Sequence, residues 1–331
     1  MNFKIAGSGI ALPARRISSS DLDAGLCQPA GTLFAACGVA ARYVCSDETQ
    51  EDLATQAARA ALAAAELQAH QIDLVIFAAA VTRQPIPSTA PLVVRKLGIA
   101  PGVCTAFDIN STCLSFLSGF DVAVGMLATG RFRAALVISA EIASRALPWS
   151  KEPEIAGLFG DGAAAVVLVP VPEGSDGSRL RAALFETYPE GYEFCQLAAG
   201  GTGIDFHLEP DRFRAAALFH MDGHNLFKLT AKYFPSFVER TLERAGWRQS
   251  DVDLVVPHQA SPMALAHLVK RCGFSVEQVV NIVADYGNQV AASIPTALHL
   301  ALQSGRLPGG AKLLVLGTSA GVSFGGMAIE L

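Results

Sequence analysis

Apolar positions recur along the chain in two rhythms, short continuous runs and longer helical stretches, and the two alternate. Phe3 to Leu12 is predicted as a first strand. Residues 13–45, rich in Gly, Ala and Ser, carry no periodicity and are expected to be irregular. Thr49 followed by Asp52 has the capping-box pattern and opens an alanine-rich helix to about Gln68. Asp73 to Ala80 reads as a strand, Thr82 to Ser88 (with Pro85 and Pro87) as a loop, and Thr89 to Leu97 as a helix stopped by Gly98. Further strands are predicted over Ala134 to Ala140 and, after Phe159-Gly160-Asp161-Gly162, over Ala163 to Val169. Strands alternating with helices predict an α/β fold with a mainly parallel sheet.

The stretch that organises the rest is Phe107 to Gly130. It opens as an apolar run, tightens at Asn110-Ser111-Thr112, and continues as a helix with Leu114, Phe116, Leu117, Phe120, Val122, Val124, Met126 and Leu127 spread around it. A helix apolar on nearly every side is expected to be covered all round. Cys113 is read as its first residue, where unpaired N–H groups and the positive helix end favour a thiolate. The plainer role for such a residue is that of a small buried core thiol.

The pattern repeats. Residues 58–81 align with 238–261 at a shift of 180, helix then strand. Residues 93–99 resemble 268–274, and the Thr129-Gly130-Arg131 corner with its strand matches Ser304-Gly305-Arg306, both at a shift of 175. Two pseudo-repeated α/β halves, packed as two equivalent sheets, are expected: 1–170 with Cys113, and 171–331 with His258 and Asn288. Pro170 to Ser178 is the best candidate for the boundary. The shift of 175 carries Cys113 onto Asn288, directly before the helix that pairs with the first one. His258 ends the strand Leu254 to Pro257. Strand carboxyl ends and helix amino ends face one crevice in α/β folds, so the three residues are expected to converge.

Composition narrows the class. A chain of 331 residues with 51% hydrophobic and 17% charged residues is a globular protein with ample core. Its longest apolar runs are too short to span a bilayer, and the N-terminus lacks a secretory h-region. A net charge of −5 gives no general attraction to nucleic acid or to an anionic membrane. Seven cysteines without CxxC pairs or metal-ligand spacing read as a reduced, cytoplasmic protein without a bound metal.

A cysteine on a helix N-terminus beside an imidazole is an activated nucleophile suited to thioester exchange. A neutral His and an Asn can donate hydrogen bonds to one oxygen and so stabilise the enolate of a thioester losing CO2. These residues stand within DINSTCLSF, LFGDGAAAVVL (158–168), VVPHQAS (255–261), YGNQVAASIPTAL (286–298) and GTSAGVSFGG (317–326). Through these motifs the chain resembles the β-ketoacyl-acyl-carrier-protein synthases III, over essentially its whole length. The resemblance implies a thiolase fold of five layers, α-β-α-β-α, and a homodimer that uses no metal or redox cofactor. It implies Cys113 as acyl-accepting nucleophile, His258 and Asn288 on the thioester oxygen during decarboxylation, and the backbone N–H groups of Cys113 and Ala320 as oxyanion hole. Asn288 separates the chain from Cys-His-His elongating synthases and two-cysteine thiolases. Asp161 in the FGDG loop reads as a turn residue.

The same resemblance exposes departures. The adenine-stacking Trp and Arg of acetyl-CoA-primed relatives fall on Thr32 and Pro153, and a nearby Arg on Ala36, so the CoA clamp is absent. Ile86 stands where the family caps the acyl pocket across the dimer, and it admits longer chains than a Phe would. Lys228, Lys270 and Arg271 fall on carrier-protein positions, whereas Met263 replaces a further Arg. The implied reaction is decarboxylative condensation of an acyl-cysteine with a malonyl- or β-ketoacyl-thioester, donors arriving on CoA or acyl carrier protein, in a specialised lipid or secondary-metabolite pathway. The alternatives are acyl transfer to an alcohol or amine, and condensation of two acyl thioesters without decarboxylation. A non-catalytic partner subunit is disfavoured by the complete Cys-His-Asn set.

Overall fold

The computed structural model describes residues 2–172 and 177–331; residues 173–176, inside the expected boundary Pro170 to Ser178, lie outside the described residues. Nine strands form the main sheet: β1 (Asn2–Ala11), β2 (Leu74–Ala78), β3 (Thr105–Ile109), β4 (Ala135–Glu141), β5 (Gly162–Pro170), β6 (Ser178–Thr187), β7 (Leu254–Pro257), β8 (Lys312–Ser319) and β9 (Ser323–Glu330). Their order is β7-β8-β9-β6-β1-β5-β4-β2-β3. The two expected sheets, β7-β8-β9-β6 and β1-β5-β4-β2-β3, meet edge to edge through a seam of only two residue pairs, Asn2↔Arg179 and Phe3↔Ser178. The sheet is also mixed rather than mainly parallel. β2 runs parallel to β3 and β4, and β7 parallel to β8, while the five other pairings are antiparallel. The hairpin β8–β9 turns within three residues, which only antiparallel strands allow.

Side-chain alternation builds the layers. Leu74, Ile76 and Ala78 of β2 face a central cluster, while Val75 and Phe77 face an outer one. The centre holds two helices, α3 (Ser115–Ala128) and α6 (Ser293–Gln303). Phe116, Phe120, Ile294 and Leu298 pack there against strands of both halves, Val137 and Val166 on one side and Val256 and Val315 on the other. Each such side chain withdrawn from water contributes about 1.5–3 kcal/mol. Outside one face lie α1 (Gln50–Ala64) and α2 (Ala90–Leu97), outside the other α4 (Gly223–Ala245) and α5 (Pro262–Cys272). The result is the five-layer α-β-α-β-α arrangement. Close approach of α1 to β1 needs glycine: a Cβ on Gly7 would lie 2.3 Å from the Ala61 carbonyl oxygen.

The elements recur at the expected offsets. Single-turn 3-10 helices at Ala69–Gln71 and Gln249–Asp251 are 180 residues apart. Gly98 and Gly273 end their helices with φ of 75° and 74°, and Gly130 and Gly305 take 72° and 68° at corners, each pair 175 apart. Two expectations are corrected. The centre of α3 is not covered all round: Val122 is exposed, and Asp121, Gly125 and Met126 are half-buried. Residues 13–45 are not irregular but contain paired strands at Arg16–Ser18 and Ala41–Tyr43 and helices at Ser19–Gly25 and Thr32–Cys37. Ser18 and Asp21 form a full capping box at the first of these. Arg42, wholly buried, then ties the region down, donating to the Gly157 carbonyl at 2.6 Å and to Ser19 Oγ at 3.0 Å.

Candidate active site

Cys113 sits in the turn between β3 and α3. Asn110 Oδ1 accepts the Thr112 N–H at 2.9 Å, and Ser115 Oγ accepts the Ser111 N–H at 2.9 Å while donating to the Thr112 carbonyl at 2.6 Å. Thr112 is held at φ 52°, a left-handed conformation rare for a β-branched residue and characteristic of functional turns. The helix begins at Ser115, so Cys113 precedes it by two residues instead of opening it. The backbone N–H groups of Cys113 itself and of Ala320, in the β8–β9 turn, both act to lower the pKa of the Cys113 thiol. Thr112 Oγ1 ties the two turns together by donating to the Ala320 carbonyl at 3.4 Å.

These N–H groups do not make a resting thiolate. Burial, with further contributions from Cys195 and Glu141, pushes the Cys113 thiol up to about 12, and the two N–H groups only partly oppose it. The expected depressed thiol is thus corrected: Cys113 is half-buried outside the helix end, and desolvation of the charged form outweighs the dipole.

His258 directly follows β7, its N–H donating to the Leu316 carbonyl at 2.7 Å. Its Nδ1 is 2.5 Å from Ser293 Oγ, which also accepts the Gln259 N–H at 3.3 Å. Burial pushes the imidazole down to about 4, so it is neutral throughout the physiological range. Asn288 follows Gly287, whose φ is 67°, much as Cys113 follows Thr112 at 52°, again 175 residues apart. Its N–H donates to the Leu158 carbonyl at 2.7 Å and its carbonyl accepts the Gly160 N–H at 3.1 Å, seating it on the FGDG loop. Asn288 Oδ1 accepts the Val290 N–H at 2.8 Å and Nδ2 donates to the Ala260 carbonyl at 3.2 Å. One amide hydrogen remains uncommitted, and the network fixes which way the amide points.

The three residues come to one place. Asn288 is bonded to the loop that starts at His258, and His258 and Leu114 flank Gly317. A Cβ on that glycine would lie 2.6 Å from Leu114 Cδ2 and 3.5 Å from His258 Cβ. Asp161 is buried and its carboxylate accepts from the Cys45 N–H at 2.8 Å, the Ser144 N–H at 2.9 Å and the Ser144 hydroxyl at 2.6 Å. It braces the loop.

The remaining expected site residues lie elsewhere on the surface. Ile86 is 86% exposed on its loop. Lys228 is exposed on α4, and Lys270 and Arg271 are exposed in the last turn of α5, where a helix C-terminus also favours cations. Met263, His267, Lys270 and Arg271 share one face of α5 by their spacing. Three residues of the site went unassigned in sequence. Ser293 lies within the YGNQVAASIPTAL motif, and its place opposite His258 was the signal available. Glu141 and Cys195, both near the Cys113 sulfur, carried no motif. Among the described residues no cluster of three or more His, Cys, Asp or Glu is placed to hold a metal ion, and no helix is long and apolar enough to cross a membrane.

Comparison with known proteins accounts for this arrangement. Residues 107–188 match the family model of 3-oxoacyl-[acyl-carrier-protein] synthase III, and residues 242–331 that of its C-terminal part. The chain is 35% identical to the β-ketoacyl-[acyl-carrier-protein] synthase III of Neisseria meningitidis over 99% of its length and 98% of the relative's. Its identity to β-ketoacyl-[acyl-carrier-protein] synthase III 3 of Streptomyces coelicolor is 36%, over 98% of this chain and 96% of that one. Among solved structures, the 3-oxoacyl-(acyl carrier protein) synthase III of Pseudomonas aeruginosa superposes with a TM-score of 0.88 at 31% identity, covering 100% of this chain and 98% of that one. A variant of OleA from Xanthomonas campestris superposes with a TM-score of 0.87 at 26% identity, over 100% and 99% of the two chains. The thiolase-type architecture and the motifs are thus shared along the full length, and the chain belongs to the 3-oxoacyl-[acyl-carrier-protein] synthase III family of condensing enzymes.

Proposed function

We propose that the protein transfers an acyl group to Cys113 and condenses it with a second thioester that loses CO2. In the first step the Cys113 sulfur attacks the donor carbonyl, and the oxyanion accepts hydrogen bonds from the N–H groups of Cys113 and Ala320. The thiol is protonated at rest, so its proton passes to His258 Nε2 as the carbon–sulfur bond forms and then to the departing thiol. In the second step the thioester oxygen accepts from His258 Nε2–H and from the free amide hydrogen of Asn288. The carboxylate carbon leaves as CO2, and its bonding pair becomes the enolate. The enolate carbon attacks the acyl-Cys113 carbonyl, the same two backbone groups take the oxyanion, and the Cys113 thiolate departs and takes up one proton from solvent, the proton that decarboxylative condensation consumes.

The observation that carries this reading is the buried His258, with Nδ1 committed to Ser293 Oγ at 2.5 Å. The serine hydroxyl can accept from or donate to Nδ1, so it serves the imidazole both as proton acceptor and as hydrogen-bond donor. A neutral donor pair suits an enolate, whereas transfer to an alcohol or amine has no use for Asn288. Lys228, Lys270, Arg271 and the face of α5 suit an acidic acyl carrier protein, and CoA thioesters remain alternative donors. The exposed Ile86 loop and the edge strand β3 suit a homodimer in which Ile86 reaches the partner's acyl pocket.

The test is intact mass after incubation with acyl-CoA and acyl-carrier donors of graded length. Wild type is expected to gain one acyl mass and Cys113→Ala none. Wild type behaving like the alanine variant with every donor would overturn the assignment of Cys113. An acylated enzyme that releases no CO2 from malonyl thioester but esterifies alcohols would transfer the reading to the acyltransferase.

A further inference from the structure

Glu141 is a buried carboxyl in this site that takes no part in the steps above. It ends β4, and its oxygens accept the N–H of Ala80 at 2.6 Å and of Val81 at 3.4 Å. The N–H of Ala291 faces the same carboxyl. Each contact leads to a different part of the site. Ala80 and Val81 open the loop that carries Ile86. The Ala80 carbonyl accepts Asn110 Nδ2 at 2.8 Å, and the same amide holds the Thr112 N–H beside Cys113. Ala291 lies in the turn Val290–Ala292, whose first N–H is bound by Asn288. Gln50 completes the frame, donating to the Val81 carbonyl at 2.6 Å and the Ala140 carbonyl at 2.8 Å.

We propose that Glu141 is a positioning residue: through these backbone contacts one carboxyl sets the Cys113 turn, the Ile86 loop and the Asn288 turn relative to one another. The proposal rests on the condensation reading. Burial pushes the Glu141 carboxyl up to about 8, with Asp161 adding to the same direction.

Two variants test the proposal, read by CO2 release from enzyme already acylated, by acyl uptake in intact mass and by thermal unfolding. Glu141→Gln keeps an oxygen acceptor at the same reach and is expected to condense within about threefold of wild type. Glu141→Asp shortens the reach, and its CO2 release is expected to fall about tenfold with acyl uptake at saturating donor little changed. An aspartate variant condensing at the wild-type rate would overturn the positioning role, as would a glutamine variant losing as much as the aspartate one. Should wild type itself take up no acyl group, the condensation reading fails, while the rate of Cys113 alkylation by iodoacetamide, expected to change in Glu141→Asp and to be kept in Glu141→Gln, still judges Glu141.

Discussion

With Asn288 replaced by alanine, Cys113 is expected to take up an acyl group at close to the wild-type rate while CO2 release from malonyl thioester falls about a hundredfold or more. The two steps separate because they use different donors. In the proposed reaction the acyl-transfer oxyanion is met by the N–H groups of Cys113 and Ala320, and not by the Asn288 amide. The enolate oxygen is there met by Asn288 Nδ2 and His258 Nε2, and losing one of two buried donors would forfeit about 2.7–4 kcal/mol of transition-state stabilisation. The substitution also unpairs the Val290 N–H and the Ala260 carbonyl, so thermal unfolding is followed alongside. Intact mass under single turnover reads the first step, and CO2 release from pre-acylated enzyme reads the second. Equal loss of both at unchanged stability would remove Asn288 from the enolate site.

The contrast between what the chain reveals as a string and what it hides has a physical basis. Cys113, His258 and Asn288 were legible because each follows a strand end or a tight turn, and because the internal repeat places Asn288 opposite Cys113. Thr112 and Gly287 both take a positive φ at equivalent places of the repeat. The state of Cys113 was not legible. Helix-end electrostatics are local and visible in sequence, whereas desolvation is summed over neighbours that only folding assembles, and here it wins. Glu141 and Cys195 escaped for the same reason: a strand-end carboxyl and a lone cysteine gain meaning only from neighbours that folding assembles. Sheet direction was misjudged because alternating helices and strands do not reveal which strands return by hairpins. The helices at Ser19–Gly25 and Thr32–Cys37 were missed because they are shorter than the window in which apolar periodicity shows, although Ser18 and Asp21 marked the first.

The second large effect concerns the imidazole. His258→Ala is expected to lower CO2 release about a hundredfold or more, again by loss of an enolate donor, and to slow acylation as well because the thiol proton loses its acceptor. That double loss distinguishes His258 from Asn288. Ser293→Ala is expected to be milder, about tenfold, and to fall mainly on CO2 release, because Nδ1 loses the partner that orients the ring. The pH dependence follows from burial. An exposed histidine titrates near 6.5, but His258 is pushed down to about 4, so protonation is deferred by more than two pH units. CO2 release from pre-acylated enzyme should therefore be flat from pH 8 down through 6, with no inflection in the ordinary histidine range. The stability linked to the neutral ring has the matching sign. It is complete above the unfolded-state value near 6.5 and is lost as pH falls toward 4, because there the unfolded chain binds a proton that the folded site refuses. An inflection of CO2 release near pH 6.5 that vanishes in Ser293→Ala would show the imidazole to be solvated, and the neutral-donor assignment for His258 would then fail.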